Sequence, residues 1–141
     1  MKRIGLVECT KSKLKETQDN PTNVYPAKDM YTGYNFRKAV SDGLDEFECS
    51  SYYILSDRYG LIEPDDLIPY YEFDLAKQSV AYRKAWSDKV YDELVKKLGN
   101  IDDVEFVFFA GETYYEYLKG RLNCITLDFV GRKVTFNVKQ T

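Results

Sequence analysis

The sequence contains no histidine. That absence excludes Ser-His-Asp and Cys-His catalytic arrangements, and with them every zinc site that needs an imidazole. Acid–base chemistry near neutral pH must then fall to carboxylates, Lys, Tyr or Cys. Cysteine is also scarce. Cys9, Cys49 and Cys124 make an odd number with no paired spacing, so they build neither a four-cysteine metal site nor a disulfide framework. No apolar run approaches the roughly 18 residues of a membrane span. Met1 to Cys9 is too short for the apolar region of a signal peptide. Reduced thiols and a cytoplasmic location follow as expectations. Positive charge is not in excess: 20 Lys and Arg stand against 23 Asp and Glu, a net charge of −3. This argues against broad, phosphate-driven binding of nucleic acid. A local basic groove stays open, because Lys2, Arg3, Lys11, Lys13 and Lys15 all fall near the start of the chain. A solubilised terminus and loop explains the same cluster.

What is present suits one globular domain over residues 1–141. The length is right for one domain and short for two. A hydrophobic fraction of 44% and a charged fraction of 30% are ordinary. Disorder is expected only in the polar stretch Lys15 to Asn23. Tyrosine is abundant, with 13 in the chain. Its apolar body and polar tip suit sites that stack on flat rings, and equally suit half-buried structural positions.

Along the chain, Arg3 to Glu8 reads as a buried strand. Thr10 to Lys28 reads as a long polar loop, a length that is usually functional or mobile. An amphipathic helix is expected after Tyr31-Thr32-Gly33, with Phe36, Ala39, Val40 and Leu44 on its inner face, Thr32 as N-cap, and its end in the region marked by Gly43 and the acidic run Asp45-Glu46. Ser51 to Ser56 is a second strand, followed by a loop over Asp57 to Asp74. A long helix follows from about Ser79 to Leu98, with Ala81, Ala85, Val90, Leu94 and Leu98 as its inner stripe and Gly99-Asn100 as its stop. Val104 to Phe109 suits a central parallel strand covered on both faces. Glu112 to Leu118 reads as a helix, Cys124 to Leu127 as a fourth strand, and Val134 to Val138 as an edge strand with a bend at Gly131-Arg132. The alternation predicts a three-layer α/β domain with a mostly parallel sheet of four to five strands.

In such sheets ligands bind outside the carboxyl ends of the strands. Here those ends are Glu8-Cys9, Leu55-Ser56 and Phe109-Ala110, and each leads into a segment rich in polar groups. Lys11 and Lys13 could hold a phosphate in a turn, and their charges could lower the Cys9 thiol towards a nucleophile. Gly33, Gly60 and Gly111 could let a ligand approach the backbone, or could simply serve turns. Thr32-Gly33 opens a helix whose N–H groups suit an anion. Ser56, Asp57 and Arg58 leave the second strand together. Asp57 or Glu72 could act as an acid, a base or a stabiliser of positive charge, and a cap or surface role explains either one. Tyr31, Tyr70 or Tyr71 could stack a base.

Five elements taken together resemble a largely uncharacterised family of small bacterial and phage domains. They are Cys9-Thr-Lys11-Ser-Lys13, Ala27-Lys-Asp29-Met30-Tyr31-Thr32-Gly33-Tyr-Asn-Phe36, Ile54-Leu-Ser56-Asp-Arg-Tyr-Gly60-Leu61, the Pro64 to Glu72 region, and Ala110-Gly-Glu-Thr-Tyr114. Met30 stands where Leu is usual. Pro69-Tyr-Tyr-Glu72 carries an extra Tyr and a Glu in place of Asp. The resemblance implies a Rossmann-like fold and, through relatives similar to glycosylase-like and base-exchange-like domains, the handling of nucleobases. One expectation is an enzyme that hydrolyses or exchanges an N-glycosidic bond, with Asp57 and Glu72 as its carboxylates. Cys9, Lys11, Lys13, Tyr31, Thr32, Gly33, Ser56, Arg58, Gly60, Tyr71, Gly111 and Tyr114 would bind the ligand. The alternative is a non-catalytic module that senses or sequesters a nucleotide. In either case the partner is a small nucleotide-like ligand or a base in nucleic acid, with no membrane. No cofactor motif or metal spacing is present, although a carboxylate-bound Mg²⁺ would leave none.

Overall fold

The computed structural model describes residues 1–127 and 134–140. In chain order the elements are β1 (Lys2–Glu8), α1 (Lys15–Asp19), β2 (Val24–Pro26), α2 (Ala27–Met30), α3 (Tyr34–Lys38), a π-helical turn (Ala39–Gly43), α4 (Leu44–Glu46), β3 (Ser51–Ser56), β4 (Gly60–Ile62) and β5 (Leu67–Pro69). A 3₁₀ turn (Leu75–Lys77), α5 (Val80–Leu98), β6 (Val104–Phe109), α6 (Glu112–Tyr115), β7 (Cys124–Leu127) and β8 (Val134–Asn137) complete it. The main sheet has six strands in the order β4-β3-β1-β6-β7-β8. The four inner strands β3, β1, β6 and β7 are parallel. The outer strands β4 and β8 are antiparallel to their neighbours. A separate ribbon pairs β2 with β5.

The sheet is apolar on both faces, as the mostly hydrophobic runs of β1 and β6 require. On one face Leu6, Leu55, Phe106 and Phe108 pack against Trp86, Val90 and Leu94 of α5. On the other, Val7, Ile54, Val107 and Phe109 pack with Met30, Tyr31 and Phe36. Helix α5 begins at Ser79, whose side chain accepts from the Tyr82 N–H at 3.1 Å. It stops at Gly99, with φ +74°, as expected of a glycine cap.

Several expectations change. The main sheet has six strands, not four to five, because the three-residue strand Gly60–Ile62 is too short to show periodicity and lies within what reads as loop. The loops over Thr10 to Lys28 and Asp57 to Asp74 likewise hide the β2–β5 ribbon. The polar stretch from Lys15 opens with helix α1, anchored by the buried Thr17 hydroxyl donating to the Leu14 carbonyl at 2.6 Å. Ala81 and Ala85 of α5 are exposed; Trp86, Ser87, Val90 and Leu94 are its buried residues. The helical stretch ends at Glu46, within the expected region, and Gly43 is placed where an added Cβ would lie 2.7 Å from the Phe109 ring. The bend expected at Gly131-Arg132 lies outside the described residues. No helix among the described residues is long and apolar enough to cross a membrane.

Candidate functional site

Strand β1 is flanked by β3 on one side and β6 on the other, and the chain leaves these neighbours in different directions. A ligand crevice in an open α/β sheet forms at such a reversal, beyond the carboxyl ends. The residues that end these strands meet there. Cys9 is tied to β3 by its N–H to the Leu55 carbonyl at 2.9 Å. Its thiol donates to Asp57 Oδ1 at 3.1 Å. Tyr114 donates its phenol proton to the same oxygen. The Leu75 N–H donates to Asp57 Oδ2 at 2.8 Å. Asp57 is only 7% exposed, and both its oxygens are engaged. It pins the chain after β5 and the Tyr114 ring onto the strand ends.

A second chain of hydroxyls lies beside it. The Tyr31 and Tyr71 oxygens are 2.6 Å apart, and Tyr71 and Ser56 share a hydrogen bond of 2.9 Å. Ser56 Oγ also accepts the Tyr59 N–H at 3.0 Å, while the Ser56 carbonyl accepts the Trp86 indole N–H at 2.9 Å. Tyr31 and Ser56 are fully buried. Burial pushes the Tyr31, Tyr71 and Tyr114 phenols well above the usual tyrosine range. They therefore stay neutral and act through hydrogen bonds.

Lys13 closes the cluster. Its loop is laced to the segment before α3 by Leu14 N–H to the Met30 carbonyl at 2.9 Å and Thr32 N–H to the Ser12 carbonyl at 3.0 Å. Gly33 N–H donates to Thr10 Oγ1 at 3.2 Å, and an added Cβ on Gly33 would sit 2.6 Å from the Thr10 side chain. The glycine is thus needed for close approach of two protein segments. This packing brings Lys13 Nζ over the Tyr71 ring, 4.6 Å from its centroid.

Glu8 is the residue that sequence reasoning missed. It was visible as the end of β1, and the signal was a carboxylate closing the apolar run Ile4 to Val7. Its Oε1 accepts the Gly111 N–H at 3.0 Å across the strand reversal. Burial raises its carboxyl to about 7, against the opposing Gly111 bond; the Asp57 charge pushes it further up and a Tyr114 hydrogen bond pulls it down. A carboxyl poised near neutrality can give or take a proton. Trp86, the chain's one tryptophan, was also missed as a support of Ser56.

The structure brings together Cys9, Lys13, Tyr31, Ser56, Asp57, Tyr71, Gly111 and Tyr114. It places others outside. Arg58 is exposed and stacks 5.9 Å from the Tyr59 ring centroid. Lys11 points outward to Asp74, 3.4 Å away. Glu72 is exposed and accepts the Tyr70 hydroxyl. Gly60, at φ +78°, closes the turn from β3 to β4. Thr32 does not cap α3, whose N-cap is Gly33 without a side-chain bond. The thiol expectation is reversed: burial and the Asp57 charge push Cys9 up to about 12, so it is no activated nucleophile. The early cations form no single groove, since Arg3 pairs with Glu105 at the amino end of β1 and Lys13 lies beyond its carboxyl end. A cavity of about 500 Å³ between α3 and β7, lined by Lys38, Phe47, Phe109 and Leu127 among others, includes none of the expected site residues. Among the described residues no cluster of three or more Cys, Asp or Glu could hold a metal ion.

Over 110 residues the chain is 31% identical to a UPF0246 protein of Colwellia psychrerythraea strain 34H. That match takes in 73% of this chain and 42% of the other, so the chain spans less than half the length of the curated relative it matches. With residues 4–130 matching the family of unknown function DUF6884, the chain belongs to that family.

Proposed function

We propose that this protein handles a nucleotide or nucleobase and breaks or exchanges an N-glycosidic bond at the carboxyl ends of β1, β3 and β6. The observation that carries the reading is the meeting there of Glu8, Asp57, three tyrosines and Lys13, with one carboxyl raised to about 7. Half-buried Tyr70 and Tyr114 offer aromatic faces to a base, while buried Tyr31 and Tyr71 hold the hydroxyl chain behind them. Glu8 serves as the proton carrier. As the C1′–N bond breaks, its electron pair goes to the base nitrogen and Glu8 gives that nitrogen a proton. Water or an incoming base then bonds to C1′ and returns a proton to Glu8. The transition state carries positive charge on the sugar, which the negative charge of Asp57 favours. Asp57 is a positioning residue here, because its oxygens already hold Cys9, Tyr114 and Leu75.

The test is chromatographic detection of free base after incubation with nucleosides, nucleotides and short single-stranded oligonucleotides. Glu8→Gln is expected to abolish base release while leaving ligand affinity within about threefold, since the amide oxygen still accepts the Gly111 N–H. Binding by the wild type without any base release would instead favour the second reading, a module that senses or sequesters a nucleotide. That reading draws on the full engagement of Asp57 and the inert state of Cys9.

A further inference from the structure

Lys13 differs from the other charges of the site. Its side chain is buried, with 9% of the residue exposed. Its neighbour Lys11 reaches Asp74, yet Lys13 forms no ion pair among the described residues. The one hydrogen bond of its ammonium there goes to the Lys11 carbonyl, at a long 3.4 Å. An ammonium has three N–H donors, so the larger part of its bonding capacity is unused. Around it stand three tyrosine rings, with Nζ 4.6 Å from the Tyr71 centroid, 5.8 Å from Tyr70 and 6.0 Å from Tyr31. Ring faces attract a cation, but they do not replace a counter-ion or accept its hydrogen bonds as an oxyanion does. A buried cation without an ion pair is costly, and a bound anion would offset that cost.

We propose that Lys13 receives the phosphoryl group of a mononucleotide, so that the site takes phosphorylated nucleotides in preference to nucleosides or free bases. The inference rests on the nucleotide-handling reading of the same site and names its substrate class. Burial holds the Lys13 ammonium below the usual lysine range, against the opposing pull of Cys9, Asp57 and Glu72. A phosphate dianion adds to that pull and keeps the ammonium charged. Glu72, exposed at the rim, repels phosphate, while its bond from Tyr70 holds it to that hydroxyl. Lys13 is therefore the cation that decides whether an anion enters.

The experiment is calorimetric titration of the full chain with four nucleosides, their 5′-monophosphates and inorganic phosphate. The expected result is monophosphate binding about 10–100-fold tighter than the matched nucleoside, the range for a charge-assisted hydrogen bond. Inorganic phosphate should compete with the monophosphate and leave nucleoside binding unchanged. In Lys13→Met the preference should fall to about one, and in Lys13→Arg it should persist within about threefold. Equal binding of nucleoside and monophosphate by the wild type overturns the inference without any variant, so it stays testable even if Lys13→Met fails to fold. An unchanged preference in a folded Lys13→Met also overturns it, and makes Lys13 a clamp for the tyrosines. Absence of binding by every nucleoside and nucleotide overturns the nucleotide-handling reading itself, which is a different failure.

Discussion

The two ends of strand β1 carry charge in opposite ways. At the amino end Arg3 meets Glu105 with Nε to Oε1 at 2.8 Å and reaches the Phe47 carbonyl at 3.0 Å. Both partners are partly exposed and each charge has its opposite. At the carboxyl end, among the described residues, Glu8 accepts a backbone N–H and makes tyrosine contacts, while Lys13 lies among rings without an ion pair. One end spends its charges on closing the sheet. The other holds a carboxyl and an ammonium apart, both partly desolvated, and spends Asp57 on fixing the groups around them. The amino end pairs its charges with each other, and the carboxyl end leaves Glu8 and Lys13 without an ion pair among the described residues.

This contrast can be broken by mutation. The largest effect is expected for Asp57→Ala, which strands the Leu75 N–H, the Tyr114 hydroxyl and the Cys9 thiol. Urea unfolding should show a loss of about 3–5 kcal/mol. Next comes Glu8→Gln, with the opposite sign. Below about pH 4.5 the carboxyl is protonated in folded and unfolded chains alike. As pH rises through 7 the folded protein must ionise a buried carboxyl that the unfolded chain ionises freely, so the stability it contributes is lost. Glu8→Gln should therefore be more stable than wild type by roughly 2–3 kcal/mol at pH 8, and should match it at pH 4. A variant that is stabilised at pH 8 yet loses base release is the pattern of a functional group. Equal stability at both pH values would put Glu8 with the structural charges.

Smaller effects sharpen the same comparison. Tyr71→Phe removes the hydroxyl between Tyr31 and Ser56 and should cost about 1–2 kcal/mol in chemical denaturation. Arg3→Ala should cost about 1 kcal/mol or less and lose that effect in high salt, as partly exposed pairs do. A larger loss at Arg3 than at Tyr71 would reverse the ranking of the two ends.

Much of this was legible in the sequence. Apolar runs showed β1 and β6, β-branched and aromatic content showed β3, and Gly99 with Ser79 bounded α5 to within a residue. The three polar segments at the strand ends do converge, because parallel strands put all their carboxyl ends on one edge. What was not legible depends on partners far apart in sequence. Nothing near Asp57 shows that the Leu75 N–H will occupy its second oxygen. The lysine-rich turn reads as one basic surface, yet the antiparallel contact of Lys13 with Tyr31 buries one lysine and leaves Lys11 outside. The fate of Glu8 was hidden because its carboxyl is raised by burial in the folded chain, and its partners Gly111 and Tyr114 lie about a hundred positions away. Ala81 and Ala85 misled because helical spacing allows more than one inner stripe, and Trp86 decides which one packs.

The most direct test of the site's position is an NMR titration of the ¹⁵N-labelled chain with a 5′-mononucleotide. The predicted result is amide shifts concentrated at Lys13, Asp57, Gly111 and Tyr114, at the carboxyl ends of the three strands. Shifts confined to Asn35, Phe47 and Leu127 around the separate cavity, or no shifts at all, would contradict it.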